Sequence, residues 1–238
     1  MPEQAKRLEL VEQLELLVGH ELDSAQNLSV AELASMSLSY LVLGDLDKAL
    51  SKATEAIQRH PTKYDGYRLM GTLLKFQGKP QDAIKQFTTA AGYASGPELV
   101  SVLTSRSDAY AILGDWKAAL SDTERGLQLV GNDTKTAARI NPSLLLNHCY
   151  ALTHLGKTES ALEMVREVLP LLEDAYFRAV AFAILGDKEQ MLKSLKSSIK
   201  EDRINVLEAR YDPNLAAYHE DADFQELLRA GSHAPKKD

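Results

Sequence analysis

Five stretches of this 238-residue chain share one pattern, and the clearest of them is Gly78-Lys79-Pro80-Gln81-Asp82-Ala83-Ile84. In each stretch a glycine opens a polar turn and is followed, five positions later, by Ala or Met. The glycines are Gly44, Gly78, Gly114, Gly156 and Gly186. Their spacings of 34, 36, 42 and 30 residues indicate a tandem repeat.

Each glycine separates two segments in which apolar residues recur every three or four positions, as in an amphipathic helix. Around Gly44 these residues are Leu33, Met36, Tyr40, Leu43, Ala49, Leu50, Ala53 and Ile57. Glycine adopts the left-handed conformation that ends a helix without steric penalty. The small fifth residue lets two helices approach to about 8–10 Å. Each unit is therefore predicted to form a helical hairpin. A single hairpin leaves its apolar face exposed, and stacking on the next hairpin buries that face.

The repeat resembles the tetratricopeptide repeat (TPR), whose pattern places small, aromatic and turn residues at fixed positions of a 34-residue helical hairpin. The second unit matches it best, at Gly71, Leu74, Gly78, Ala83, Phe87 and Ala90. The resemblance covers residues 29 to about 202. It implies an all-α fold, a right-handed α-solenoid of about five TPR-like hairpins with N- and C-terminal capping helices.

The expected organisation has three further parts besides the array. Residues 1–28 are expected to form an N-terminal capping helix and a connection, residues 203–230 a C-terminal capping segment, and residues 231–238 a mobile tail. The units are expected near residues 29–61, 62–97, 98–140, 141–170 and 171–202. Ser29 with Glu32 fits a capping box. The longest spacing is expected to extend the connection at Gly131-Asn132-Asp133.

Composition excludes several classes of protein. The net charge of −7 argues against a nucleic-acid-binding protein, which usually carries a basic stripe. No run of 18 apolar residues is present, so we expect no membrane insertion. The single cysteine, Cys149, excludes an internal disulfide framework and a Cys-rich zinc module. The N-terminus lacks the features of a secretory signal, and we therefore expect a cytoplasmic location.

The sequence contains no constellation of catalytic residues. It has no phosphate-binding glycine loop, no His-Glu-x-x-His pair and no Gly-x-Ser-x-Gly elbow. His148 and Cys149 are adjacent, but neighbouring side chains of a helix point about 100° apart and do not act together. Cys149 falls at a packing position and is interpreted as a buried structural residue. We expect no enzymatic activity, no metal site and no cofactor.

The TPR resemblance implies that the first helix of each unit lines a concave groove. The groove positions that stand out for apolar, charged or aromatic character are Leu38, Leu41, Val42, Arg68, Thr72, Lys75, Phe76, Asp108, Ile112, Tyr150 and His154. An apolar stripe edged by polar side chains is typical of a protein-binding surface. Its natural ligand is a peptide or an amphipathic helix.

The sequence thus favours a non-enzymatic protein–protein interaction module, an adaptor or scaffold that binds another protein in this groove. Two alternatives stay open. The first is a self-associating structural scaffold, a homo-oligomer, and the second is a chaperone-like holder of client segments. The sequence also leaves open whether the groove is free or is covered by the chain's own termini.

Overall fold

The computed structural model describes residues 28–131, 133–201 and 204–233. These residues form α- and 3₁₀-helices and contain no strand. The α-helices are α1 (Val30–Leu43), α2 (Leu46–Arg59), α3 (Tyr64–Phe76), α4 (Pro80–Tyr93), α5 (Gly96–Ile112), α6 (Trp116–Val130), α7 (Thr134–Ile140), α8 (Pro142–His154), α9 (Thr158–Val168), α10 (Ala175–Leu185), α11 (Lys188–Glu201), α12 (Ile204–Tyr211) and α13 (Ala222–His233). The 3₁₀-helices are Leu169–Leu171 and Pro213–Tyr218.

Ten of these helices form five consecutive hairpins, α1/α2, α3/α4, α5/α6, α8/α9 and α10/α11. Each hairpin packs on the next, so the predicted all-α solenoid is confirmed. Where the sequence predicted a longer connection, the structure has the short helix α7. Its side chains Ala137 and Ala138 are buried, which explains why these extra residues are ordered against the array.

The turn glycines end the first helices as predicted. All five have a positive φ, between 71° and 82°, a conformation that a side chain would strain. At the start of α1, the predicted capping box is present, with Ser29 and Glu32 each accepting a hydrogen bond from the other residue's backbone N–H. The repeat boundaries therefore arise from local chemistry that needs no distant contact.

Small residues lie where paired helices approach each other. Ala49, Ala83 and Ala161 are fully buried, and Ala119 is nearly so. The fifth hairpin carries Met191 at this position, also fully buried. Methionine is tolerated there because its unbranched thioether chain adapts to an irregular gap.

Gly71 marks the closest approach within the second hairpin. A Cβ added at this residue would lie 2.6 Å from the ring of Phe87, which is itself fully buried. We therefore expect Gly71→Ala to destabilise the protein by about 1–3 kcal/mol through overpacking. Chemical denaturation followed by helicity measures the change.

Gly92 supplies the matched control for this prediction, because it lies in α4 with no atom within 4 Å of an added Cβ. Gly92→Ala is expected to be neutral or to stabilise by up to about 1 kcal/mol, since alanine restricts the unfolded chain and favours helix. Equal effects of the two substitutions would contradict the close packing at Gly71.

The C-terminal residues do more than cap the last hairpin. Helix α13 packs on α11 through the buried side chains Phe224 and Leu228. Residues 204–218, by contrast, run back along the first helices of the hairpins. The chain's C-terminal segment therefore contributes both an end cap and an internal contact.

Two further expectations concerned the two ends of the chain. The N-terminal capping helix predicted within residues 1–28 lies outside the described residues, apart from Leu28. The predicted tail begins at residue 231, but residues 231–233 are the last turn of α13. Among the described residues, no helix is long and apolar enough to cross a membrane.

Candidate functional site

The predicted groove residues differ in how far the structure covers them. Their side chains are buried at Leu41, Lys75 and Phe76; half-buried at Arg68, Thr72, Asp108 and Tyr150; and exposed at Leu38, Ile112 and His154. Val42 lies in α1, but its side chain is outside the described part of the chain. The expectation of one open stripe is therefore revised: part of this face is covered, and part is open.

The cover is α12. Leu207 and Tyr211 pack against the apolar cluster of α1 and α3 that contains Leu41 and Phe76. The rings of Tyr211 and Phe76 have centroids 5.3 Å apart. The self-coverage that the sequence left open is thus present for these groove residues, and it comes from the C-terminal segment.

A chain of polar contacts, each buried or partly buried, continues from this point across the later hairpins. Lys75 Nζ lies 3.0 Å from Asp108 Oδ2, and Asn147 Nδ2 donates to Asp108 Oδ1 at 2.6 Å. Asn214 donates to Asn147 Oδ1 at 2.8 Å. The chain of contacts continues to Asp212. The carboxylate of Asp212 accepts one hydrogen bond from Asn214 and another from a residue of the fifth hairpin. The donor in the fifth hairpin is the hydroxyl of Tyr176, at 2.9 Å.

The contacts of residues 204–218 show that the first helices curve around this segment. Helix α12 has eight residues and spans about 12 Å, and the following 3₁₀-helix adds about 12 Å. Five first helices about 10 Å apart would extend over about 40 Å if they were stacked in a straight line. The segment nevertheless packs against the apolar cluster of the first two hairpins and contacts the first helices of the other three, so these helices form a concave face, here named the first-helix face.

Lys75 is the cation at the centre of this face. Burial opposes its charge, but the carboxylates of Asp108, Glu208 and Asp212 outweigh burial and raise its pKa. Two of these three carboxylates come from the C-terminal segment. The ammonium group of Lys75 is therefore an electrostatic attachment point for residues 204–218.

The two carboxylates of the segment are not fully compensated. Burial and the charge of Asp108 raise the pKa of Asp212, against the effect of its hydrogen bonds from Asn214 and Tyr176. Burial also raises the pKa of Glu208, and the cation of Lys75 offsets this only in part. The stability of the contact between the segment and the first-helix face therefore depends on how many of these carboxylates are ionised.

A partly exposed aromatic patch lies at the C-terminal end of α8, one of the first helices. It consists of Trp116, Tyr150 and His154. The rings of Trp116 and His154 stack with centroids 3.8 Å apart and planes within 5°, and Tyr150 meets both edge-on. Ile112, which is 40% exposed, ends α5 just before the turn that leads to Trp116. Together these side chains form a partly apolar and partly exposed surface.

Sequence reasoning found three of these four residues and missed Trp116. The TPR groove positions all fall on first helices, whereas Trp116 is the first residue of a second helix. The signal that could have found it is its identity, because it is the chain's single tryptophan and directly follows a repeat turn. The segment carrying Leu207, Glu208 and Tyr211 was also missed as part of this face.

His148 and Cys149 lie inside the array. His148 shares a buried hydrogen bond with the hydroxyl of Thr123, and burial lowers its pKa to about 4. Burial raises the pKa of the Cys149 thiol to about 12. At neutral pH both groups are therefore uncharged, and the pair has the character of core residues.

Comparisons with known proteins identify the fold. No protein-family model and no curated protein matches the sequence. A solved tetratricopeptide repeat protein from Parabacteroides merdae superposes with a TM-score of 0.57 at 18% identity, over 96% of this chain and 93% of that one. The structure of Pseudomonas aeruginosa PilF gives a TM-score of 0.55 at 15% identity, over 84% and 96%.

A chain of the APC/C hetero-tetramer Cut9–Hcn1 gives a TM-score of 0.59 at 13% identity. The match covers 91% of the present chain but only 45% of that longer one. At these identities the comparisons establish architecture. The chain has the tetratricopeptide-repeat fold.

Proposed function

We propose that this chain is a non-enzymatic protein-interaction module, an adaptor or scaffold that binds a peptide or helix of another protein on the first-helix face. The observation that carries the proposal is that this face already accommodates a helix, α12, through apolar packing and the electrostatic attraction between Lys75 and Glu208. A surface that holds one helix has the shape and chemistry to hold another.

The aromatic patch is the part of this face on which a partner can first make contact. Aromatic side chains dominate the energetics of protein interfaces, because they combine large contact area with few rotatable bonds. Tyr150 also senses the charge of Asp212, which raises its pKa in addition to the effect of burial. Tyr150 also lies three residues after Asn147 in α8, so the patch and the polar contacts share one side of this helix.

The test uses a peptide selected from a displayed library against the purified full chain. Its affinity is measured for the wild type and for Trp116→Ala/His154→Ala by fluorescence anisotropy. We expect the double variant to bind about thirty-fold more weakly, as truncation of interface hot spots costs about 2 kcal/mol.

Leu129→Ala/Ile140→Ala is the matched control, because Leu129 and Ile140 are exposed apolar residues outside the predicted groove positions. It is expected to bind like the wild type, and all three proteins should melt alike. Equal binding by both double variants would place the interaction elsewhere.

Light scattering over a range of concentrations addresses the alternatives. A mass that grows with concentration would favour the self-associating scaffold. Selection of many unrelated peptides of similar affinity would favour the chaperone-like holder. For an interaction module we expect a constant mass and one dominant peptide pattern.

A further inference from the structure

The apolar and the polar parts of the first-helix face meet along two neighbouring helices, α5 and α8. On α5, Asp108 is followed four residues later by Ile112, and on α8, Asn147 is followed three residues later by Tyr150. The side chains of Asp108 and Asn147 are hydrogen-bonded to each other. Residues three or four apart lie on the same side of a helix, and four residues span about 6 Å. An apolar and aromatic surface therefore lies one helical turn from the carboxylate of Asp108.

Two carboxylates belong to this region, and one of them has no cation. Asp108 binds Lys75 at 3.0 Å. Asp212 is connected to Asp108 through the amides of Asn214 and Asn147, but it forms no ion pair with any described residue. Burial and the charge of Asp108 raise the pKa of Asp212 accordingly. Asp108 and Asp212, here named the acidic pair, thus carry one negative charge more than Lys75 neutralises.

The same region is short of hydrogen-bond donors. Asn214 is 4% exposed, and its amide nitrogen donates to both Asn147 and Asp212. Its carbonyl oxygen, Oδ1, is buried and accepts no hydrogen bond from the part of the chain that the structure describes. Buried polar atoms without a partner are rare in folded proteins, because each one costs free energy. The region therefore favours a ligand that brings both donors and positive charge.

We propose that the partner presents an arginine to this region, with its apolar stem on Ile112 and Tyr150 and its guanidinium group at the acidic pair. An arginine covers apolar surface with its stem while its charged end binds elsewhere. The guanidinium group is planar, stacks on aromatic rings and donates several hydrogen bonds in a fixed geometry. The inference rests on the proposed function, because it names the chemistry of the partner that this face binds.

Both parts of this arginine site are within reach of a partner. The side chain of Asp108 is 18% exposed, and Asp212 and Tyr150 are also partly exposed. The aromatic patch is uncharged at neutral pH, because burial lowers the pKa of His154 below its usual value. The patch therefore does not repel a cation.

The surroundings of the site also favour a cation. Lys117 and Lys157 flank the aromatic patch in sequence, but both are exposed, so water and salt screen their charges. The acidic pair is half-buried and is screened less. The whole chain carries a net charge of −7, which attracts a basic partner over longer distances.

The single tryptophan of the chain makes binding at this site measurable, because Trp116 belongs to the aromatic patch. The probe is a short synthetic peptide, blocked at both ends, in which arginine alternates with alanine. The control peptide carries citrulline, an uncharged residue of nearly the same shape, in place of each arginine. Both are titrated into the full-length protein while the emission of Trp116 is recorded. We expect the arginine peptide to bind at least about tenfold more tightly, since hydrogen bonds to charged groups are the stronger ones.

Equal binding of the two peptides, or no change in emission with the arginine peptide, would overturn the proposal. This comparison needs only the wild-type protein, so it holds even if a variant of the site does not fold.

Asp212→Asn tests the carboxylate that has no cation. One oxygen remains to accept from Asn214, and the hydroxyl of Tyr176 can accept from the new amide. We expect the variant to bind the arginine peptide about tenfold more weakly than the wild type. It should nevertheless melt at the same temperature or higher, because the charge that it removes is uncompensated in the free protein.

Asp47→Asn is the matched control, because it makes the same change of charge at an exposed position in the first turn of α2. It should bind the arginine peptide like the wild type. An equal loss in Asp47→Asn and Asp212→Asn would reduce the effect to overall charge and would overturn the arginine site.

The peptide selected from the displayed library separates this inference from the proposed function. A selected peptide that depends on Trp116 and His154, and that loses about tenfold in affinity when its arginine is replaced by citrulline, would support both. A selected peptide that depends on Trp116 and His154 but contains no arginine, or keeps its affinity with citrulline, would leave the interaction module intact and overturn the arginine site alone.

Discussion

A Lys75→Met variant is expected to lose up to about 3–5 kcal/mol of unfolding free energy, because it leaves three half-buried carboxylates without their cation. Lys75 is 7% exposed and lies 3.0 Å from Asp108. Glu208 and Asp212 act on the same ammonium group. Urea denaturation followed by helicity measures the loss, and partial release of α12 should precede the main transition.

The loss should shrink as the pH is lowered from 7.5 to 5. The pKa values of Glu208 and Asp212 are raised in the folded protein, so their contribution to stability is complete below about pH 4 and declines as the pH rises through their folded pKa values. Without Lys75 both pKa values rise further, so that protonation of these carboxylates on acidification removes more of the repulsion.

One background titration has to be accounted for, and one control variant isolates the effect of Lys75. His148 has a pKa of about 4 in the folded protein, so acid destabilises variant and wild type alike through this group, and their difference is unaffected. Lys85→Met removes an exposed ion pair with Asp82 and should cost less than about 1 kcal/mol. A Lys75→Met deficit as small as this, and independent of pH, would mean that the carboxylates are well solvated.

The second large effect is expected at Arg106. Its guanidinium group binds Asp122 through two hydrogen bonds of 2.7 Å and donates a third to Thr88 at 3.0 Å. These contacts join α4, α5 and α6. Asp122 is buried, so Arg106→Met leaves an uncompensated carboxylate and should cost about 3–5 kcal/mol.

Three companion variants test the cause of the Arg106 effect. Arg106→Lys restores the charge but not the two-pronged geometry, and should recover only part of the loss. Arg106→Met/Asp122→Leu removes both charges and should recover most of it. Asp122→Leu completes the double-mutant cycle. A double variant no more stable than Arg106→Met alone would show that packing, and not the buried charge, sets the cost.

The hairpins could be predicted from the sequence because their determinants are local. A turn glycine with positive φ, a cap such as Ser29 and a small residue such as Ala83 each act within one unit. The alignment of the repeats also placed Lys75 and Asp108 on the same groove-lining face, and in the structure their side chains are in contact. Because the same pattern recurs in five units, a sequence signal that is weak in one unit becomes strong over the whole array.

The position of α12 could not be predicted in this way. Its contact with the first two hairpins joins residues such as Phe76 and Tyr211, which are far apart in sequence and belong to no repeating pattern. The apolar residues of segment 203–230 fit an end cap equally well, and Phe224 and Leu228 do serve as one. Only the three-dimensional curvature of the array brings α12 to its start.

The contact between α12 and the first two hairpins also has a consequence during synthesis. The cluster at Phe76 is complete early, whereas Tyr211 is added 135 residues later. At about 5–20 residues per second, the ribosome takes on the order of ten seconds to make the intervening chain. For that interval the nascent first hairpins present Leu41 and Phe76 without their cover. Until Tyr211 has been made, each growing copy of this protein therefore exposes an apolar surface that the finished molecule covers.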